Sequence, residues 1–167
     1  MESPLQAFSP AKLAGRVLAA LNGPQSFVLT KKMNAPPQEV FRQVSEPECM
    51  TKWGGAPITR VRDSQNTACG LNGPGSVRSV NLGLLTMEET ILSSDPPHGY
   101  EYTITKGNLV KNHRGKVSIS PDGAGSLLAW STVFEPGIPF TGFFVAQSVK
   151  LGFSLGLAKL AWKLKKS

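Results

Sequence analysis

The stretch from Pro139 to Leu164 constrains this chain most, because it is long, almost wholly apolar, and follows a chain that otherwise reads as strands and turns. Its signals are those of one long helix. Pro139 suits a first helical turn, and Lys159, Lys163, Lys165 and Lys166 crowd the end where a helix dipole favours cations. Val145, Val149, Gly152, Phe153, Gly156, Leu160 and Leu164 recur at spacings of three and four, while Phe144, Leu151, Leu155 and Trp162 widen the apolar surface beyond one stripe. Such a helix needs a broad apolar seat. Gly142, Gly152 and Gly156 each cost about 1 kcal/mol of helix propensity relative to alanine, so they predict close backbone approach or room left beside the helix for a ligand. A bilayer span of about 20 apolar residues is the competing structure. Lys150 and Gln147 fall near its middle, and a central lysine costs about 2.5 to 3.5 kcal/mol on insertion scales. The expectation is a helix that covers a sheet.

Upstream of it, Ser9 and Pro10 form a cap and first-turn pair, Leu13, Val17 and Leu21 share one face, and Asn22 with Gly23 is a stop signal. This predicts a short amphipathic helix, either a strap on the domain or a contact with a partner or membrane surface. Ser26 to Lys32 alternates as a strand. Pro37 opens a second helix with Val40, Phe41 and Val44, and Pro47 restarts the chain as a short turn carrying Met50 and Trp53. From Ile58 onward, strands at 58–62, 76–81, 84–94, 100–106, 112–120 and 126–135 are separated by short turns such as Asp95-Pro96-Pro97 and Pro121-Asp122-Gly123. Consecutive strands on short turns make an antiparallel meander. The predicted fold class is therefore α+β, one domain: a strand, two short helices, a curved six-strand meander, and the long helix lying on the sheet.

The net charge of +7 raises nucleic acid and anionic lipid as partners. Its cations are scattered, only the C-terminal lysines approach a cluster, and no nucleic-acid motif accompanies them, so no nucleic-acid partner is expected. Cys49 and Cys69 are too few for a disulfide framework, and a reduced cytoplasmic setting is expected. His98 and His113 are far apart with no second histidine at helical spacing, which gives no metal site and calls for no cofactor. The loop from Gly70 to Gly75 lacks the strand-before, helix-after context of a phosphate cradle and reads as a mobile rim. No serine, histidine and acid set follows from spacing.

Several short patterns resemble one superfamily in order and spacing. They are Asn34-Ala35-Pro36-Pro37-Gln38-Glu39-Val40-Phe41, Trp53, Gly73-Pro74-Gly75-Ser76-Val77-Arg78, Glu88-Glu89 before Ile91, Tyr100-Glu101-Tyr102, and Ser126-Leu127-Leu128-Ala129-Trp130 before Phe134. With the final helix they resemble the START-like, Bet-v-1-like (SRPBCC) superfamily, and within it proteins related to polyketide cyclases and dehydrases. The resemblance covers roughly residues 26 to 164 and implies a helix-grip fold, a curved antiparallel sheet wrapped around the long helix. It divides the chain into an N-terminal helical extension, 1–25, and a START-like domain, 26–167. It further implies a hydrophobic cavity between sheet and helix that takes lipids, sterols, polyketides or hormones, sometimes with catalysis, but no shared catalytic motif.

Strand alternation selects the polar residues that would face such a cavity. Leu85, Met87 and Ile91 put Glu89 inward and Glu88 outward. A hairpin near Leu82 and Gly83 would set Arg78 beside Glu89, as a structural ion pair or as a polar element of the site. Tyr102 and His113 are expected to point into the cavity and could donate, accept or shuttle a proton. Trp130 alternates inward with Thr132 and Phe134, for packing or for stacking on a flat ligand. The resemblance puts Trp53 near the cavity mouth, and Phe144, Gly152 and Gly156 lie on the covering helix. Trp53, Arg78, Glu89, Tyr102, His113, Trp130, Phe144, Gly152 and Gly156 are thus the expected ligand-contacting set. The expected function is binding of a hydrophobic or aromatic small molecule, with a cyclase or dehydratase as its enzymatic version. The alternative is a non-enzymatic interaction or membrane-docking protein that uses the N-terminal helix and the basic C-terminus.

Overall fold

Prolines punctuate the first third of the chain. In the computed structural model, which describes residues 10–66, 68 and 70–165, helix α1 spans Pro10–Asn22 and strand β1 spans Gln25–Met33. Pro37 and Pro47 each occupy the first turn of a helix, α2 (Pro37–Ser45) and α3 (Pro47–Trp53). A proline there loses no helical hydrogen bond. Pro47 also forces Glu46 out of helical geometry, to φ −86° and ψ 122°, which separates α2 from α3. The expected Ser9 cap, Cys69 and Lys166 lie outside the described residues.

Six strands follow in sequence: β2 (Ile58–Arg62), β3 (Val77–Asn81), β4 (Thr86–Asp95), β5 (Gly99–Lys106), β6 (Val110–Asp122) and β7 (Gly125–Pro136). They form the predicted antiparallel meander, and β1 closes its far edge by pairing with β7, giving the order β1-β7-β6-β5-β4-β3-β2. Bulges between Ile91 and Ser93 and between Lys111 and Arg114 break the register. Such breaks increase local twist and bend the sheet.

Helix α4, Gly142–Leu164, is about 34 Å long at 1.5 Å per residue. It starts later than expected. Phe140 sits in the left-handed region at φ 64°, which a helical turn does not admit, so Pro139 belongs to the preceding loop. Likewise Leu84, expected within a strand, stands fully exposed in the β3–β4 hairpin, and β4 begins at Thr86.

The main core joins Val40 and Val44 of α2, Met50 and Trp53 of α3, and Leu157, Leu160 and Leu164 of α4 to the inner face of the sheet. A smaller cluster, Val110, Phe134, Val145 and Ala146, lies under the start of α4. The architecture is an α+β helix-grip.

Candidate functional site

Between these two packed regions a cavity of about 520 Å³ separates α4 from the sheet. Val80, Met87, Trp130, Met50 and Trp53 line one side, with Phe144, Val149, Gly152 and Phe153 of α4 on the other. Its ionisable lining consists of Arg78 and Glu89 among the described residues. An apolar enclosure with few convergent polar groups is the usual form of a small-molecule site.

The polar pair follows from register. Arg78 and Glu89 are direct partners across the β3–β4 ladder, and alternation turns both to the inner face, where they are 3% and 8% exposed. Arg78 Nε donates to Glu89 Oε2 at 2.6 Å. Glu88 points outward and accepts from Lys106 Nζ at 2.8 Å. The remaining guanidinium edge is also occupied: Nη1 reaches Met50 Sδ at 3.1 Å, and both Nη atoms reach the Tyr100 hydroxyl at 3.5 and 3.4 Å. Tyr100 in turn donates to the Val44 carbonyl at 2.6 Å, so its oxygen acts as acceptor toward Arg78. The guanidinium carbon lies 5.4 Å and 5.2 Å from the ring centres of Tyr100 and Tyr102, within cation–π range. Burial works against the Arg78 charge, but the Tyr100 oxygen and Glu89 carboxylate outweigh it and raise its pKa. Burial raises the Tyr100 pKa, with Arg78 opposing the rise.

Behind this pair stands an aromatic stack. Trp130, fully buried, donates from Nε1 to the Tyr102 hydroxyl at 2.9 Å and packs on Phe153 with ring centres 4.6 Å apart. Tyr102 lies across the strand from Gly115. A Cβ at Gly115 would fall 2.2 Å from the Tyr102 ring, so only glycine leaves the ring its seat. Burial, reinforced by Glu89 and Tyr100, pushes the Tyr102 phenol well above its usual range. His113 packs on Tyr102 at 5.2 Å, and its Nε2 shares a hydrogen bond of 2.9 Å with the Thr132 hydroxyl. Its Nδ1 is buried without a partner among the described residues. Burial lowers the His113 pKa, against a smaller opposing effect of Glu89, so the ring is neutral at neutral pH.

Of the residues expected from sequence, Trp53, Arg78, Glu89, Trp130, Phe144 and Gly152 line the cavity, while Tyr102, His113 and Gly156 lie outside its lining. Tyr102 is held by the lining residues Trp130 and Arg78, and His113 packs on Tyr102, so neither reaches the open space. Gly156 marks close approach instead of room: a Cβ there would come within 3.2 to 3.3 Å of the Trp53 ring and carbonyl. At Gly152 a Cβ would meet nothing within 4 Å. Trp53 is 2% exposed, with Nε1 donating to the Gln43 carbonyl at 2.9 Å, and so forms a wall and not a mouth. Phe144, 63% exposed, stands nearer the opening. Sequence reasoning missed Met50, Leu109 and Phe153 as lining and Tyr100 as the residue that braces Arg78. Tyr100 was findable, since it alternates onto the face of Tyr102. The Gly70 to Asn72 loop borders a separate, polar groove with Arg42, Glu46 and Arg60.

The fold matches those of known proteins. The crystal structure of Ara h 8.0201 superposes with a TM-score of 0.66 at 21% identity, covering 87% of this chain and all of the other. A solution structure from Thermobifida fusca gives 0.68 at 20% identity over 84% of this chain and 93% of its own. Protein CV1439 from Chromobacterium violaceum gives 0.63 at 17% identity, with coverages of 83% and 96%. No curated protein matches. These similarities establish a Bet-v-1-like helix-grip, and a family profile described as polyketide cyclase / dehydrase and lipid transport matches residues 24–165, leaving all of α1 outside. The chain belongs to the polyketide cyclase / dehydrase and lipid transport family.

Proposed function

We propose that this protein binds a hydrophobic or aromatic small molecule, polyketide-, lipid- or sterol-like, in the cavity beneath α4. The observation that supports it best is the open space beside Gly152, which lines a largely apolar cavity of about 520 Å³. A cyclase or dehydratase would have to work through Arg78 and Glu89, because Tyr102 and His113 stand outside the lining. Binding and carriage is the simpler activity for such a site. Gly152→Leu tests it. The substitution removes a helical glycine, which raises stability by about 0.8 kcal/mol, while the new side chain fills the cavity and weakens an apolar fluorescent probe by on the order of tenfold or more. Unchanged probe affinity would refute this location.

A second reading, contact with an anionic membrane surface, has its own support. No residue of α1 is buried, and Leu13, Val17 and Leu18 are half exposed or more. Helix α4 is long and apolar enough to cross a membrane by length and composition, only 28% of its most apolar window is buried, and Leu151, Leu155 and Trp162 stand out from it. Neither helix contains an acidic residue, and between them they carry Lys12, Arg16, Lys150, Lys159 and Lys163. Sedimentation with anionic vesicles, lost at high salt and absent with zwitterionic ones, is the expected result. Equal sedimentation with both kinds, or none with either, would count against it.

A further inference from the structure

We infer that the Arg78–Glu89 pair makes the cavity select neutral, hydroxylated apolar molecules over carboxylates of the same skeleton. This rests on the binding reading above and adds the chemical class of the ligand. Arg78 already has a full counter-charge in Glu89, and the pair is neutral as a unit. The contacts to Glu89, Met50 and Tyr100 occupy Nε, both positions of Nη1 and the outer position of Nη2. A planar guanidinium has five N–H groups in a fixed fork. The one left over is on Nη2, on the Nε side, beside Glu89. Glu89 Oε2 takes the Arg78 bond, and among the described residues the hydrogen bonds and ion pairs to Glu89 reach Oε2 alone.

The pair therefore offers the cavity a donor and an acceptor side by side. A hydroxyl satisfies both, accepting from Nη2 and donating to Oε1. A ketone uses only the donor. A carboxylate must shed its water beside the Glu89 negative charge, and the cavity lining supplies no second cation to compensate it. Tyr100 offers no help, since its proton is committed to the Val44 carbonyl.

The test uses the intact protein and three probes, naphthalene and the naphthol and naphthoate that carry their group at the same ring position, titrated by calorimetry near neutral pH. Naphthol is expected to bind roughly tenfold to a hundredfold tighter than naphthoate, the span of a hydrogen bond to a charged group, and tighter than naphthalene. In Glu89→Gln the order is expected to reverse, because Arg78 loses its counter-charge and takes the carboxylate. If Glu89→Gln does not fold, the wild-type ranking decides alone. Naphthoate equal to or tighter than naphthol, or naphthol no tighter than naphthalene, overturns the selection while leaving an apolar binding site in place. Failure of all three probes to bind, or binding that Gly152→Leu leaves unchanged, overturns the cavity reading and the selection with it.

Discussion

Removing either member of the Arg78–Glu89 pair alone should damage the fold more than removing both. The two groups sit 2.6 Å apart at 3% and 8% exposure, so each depends on the other for compensation. At an effective dielectric of about 20 and a charge separation of about 4 Å, their attraction is about 4 kcal/mol. Losing one partner from a buried pair costs about 3 to 5 kcal/mol, the same range. The two losses differ. A buried carboxylic acid has a neutral form open to it, whereas a guanidinium has none within reach, so Glu89→Leu should cost more than Arg78→Met. The double variant Arg78→Met/Glu89→Leu removes both charges and refills the space with apolar atoms, leaving the Tyr100 bond to Val44 in place. It should recover most of the loss, giving a coupling energy of roughly 3 kcal/mol in a double-mutant cycle. Urea unfolding followed by fluorescence and circular dichroism supplies the four stabilities, provided both probes give one transition. Single losses below about 1 kcal/mol, or additive effects in the double variant, would refute a buried, mutually dependent pair.

Other perturbations read different parts of the structure. Leu160 is completely buried and Leu155 is 64% exposed, so Leu160→Ala should cost about 2 to 5 kcal/mol and Leu155→Ala less than about 0.5 kcal/mol in urea melts. Gly115→Ala should cost about 1 to 3 kcal/mol by displacing the Tyr102 ring, with a changed near-ultraviolet circular dichroism spectrum as Tyr102 leaves Trp130. Burial depresses the His113 pKa in the folded state, so the unfolded chain binds the proton first. Stability should be complete above the unfolded value of about 6.5 and fall as pH drops below it. His113→Gln should flatten that dependence in pH-resolved melts, and an unchanged slope would rule His113 out as its source.

The period-two pattern of β4 distinguished two adjacent glutamates correctly, because Leu85, Met87 and Ile91 are apolar on the side of Glu89 and the register depends only on one short hairpin. The same pattern could not set depth. Tyr102 and His113 face inward, as alternation requires, yet neither lines the cavity, since a two-residue period fixes a face and says nothing about which neighbouring side chain covers it. The azimuth of α4 was equally hidden. Its apolar residues run around the whole helix, so no stripe told Phe153 from Leu155, although one rests on Trp130 and the other faces outward. The helix start turned on the backbone angle of Phe140, for which a phenylalanine after a proline carries no signal.

The glycines of α4 show why one helix can both hold the fold and leave a cavity. At its C-terminal half, Gly156 lets the backbone close on Trp53, and Leu157, Leu160 and Leu164 seal the core. Its start is also pinned: Asn22 Oδ1 accepts the Phe140 amide at 2.9 Å, and Gly142 lies so close to the Leu21 carbonyl that a Cβ would fall 2.7 Å from it. Between these fixed ends the helix passes over the curved sheet as a rigid rod about 34 Å long, and a straight rod over a concave surface leaves a gap where the surface recedes. The cavity at Gly152 is that gap. Stability and capacity are therefore carried by different turns of α4, and Gly152 has space to gain a side chain where Leu160 has none to lose.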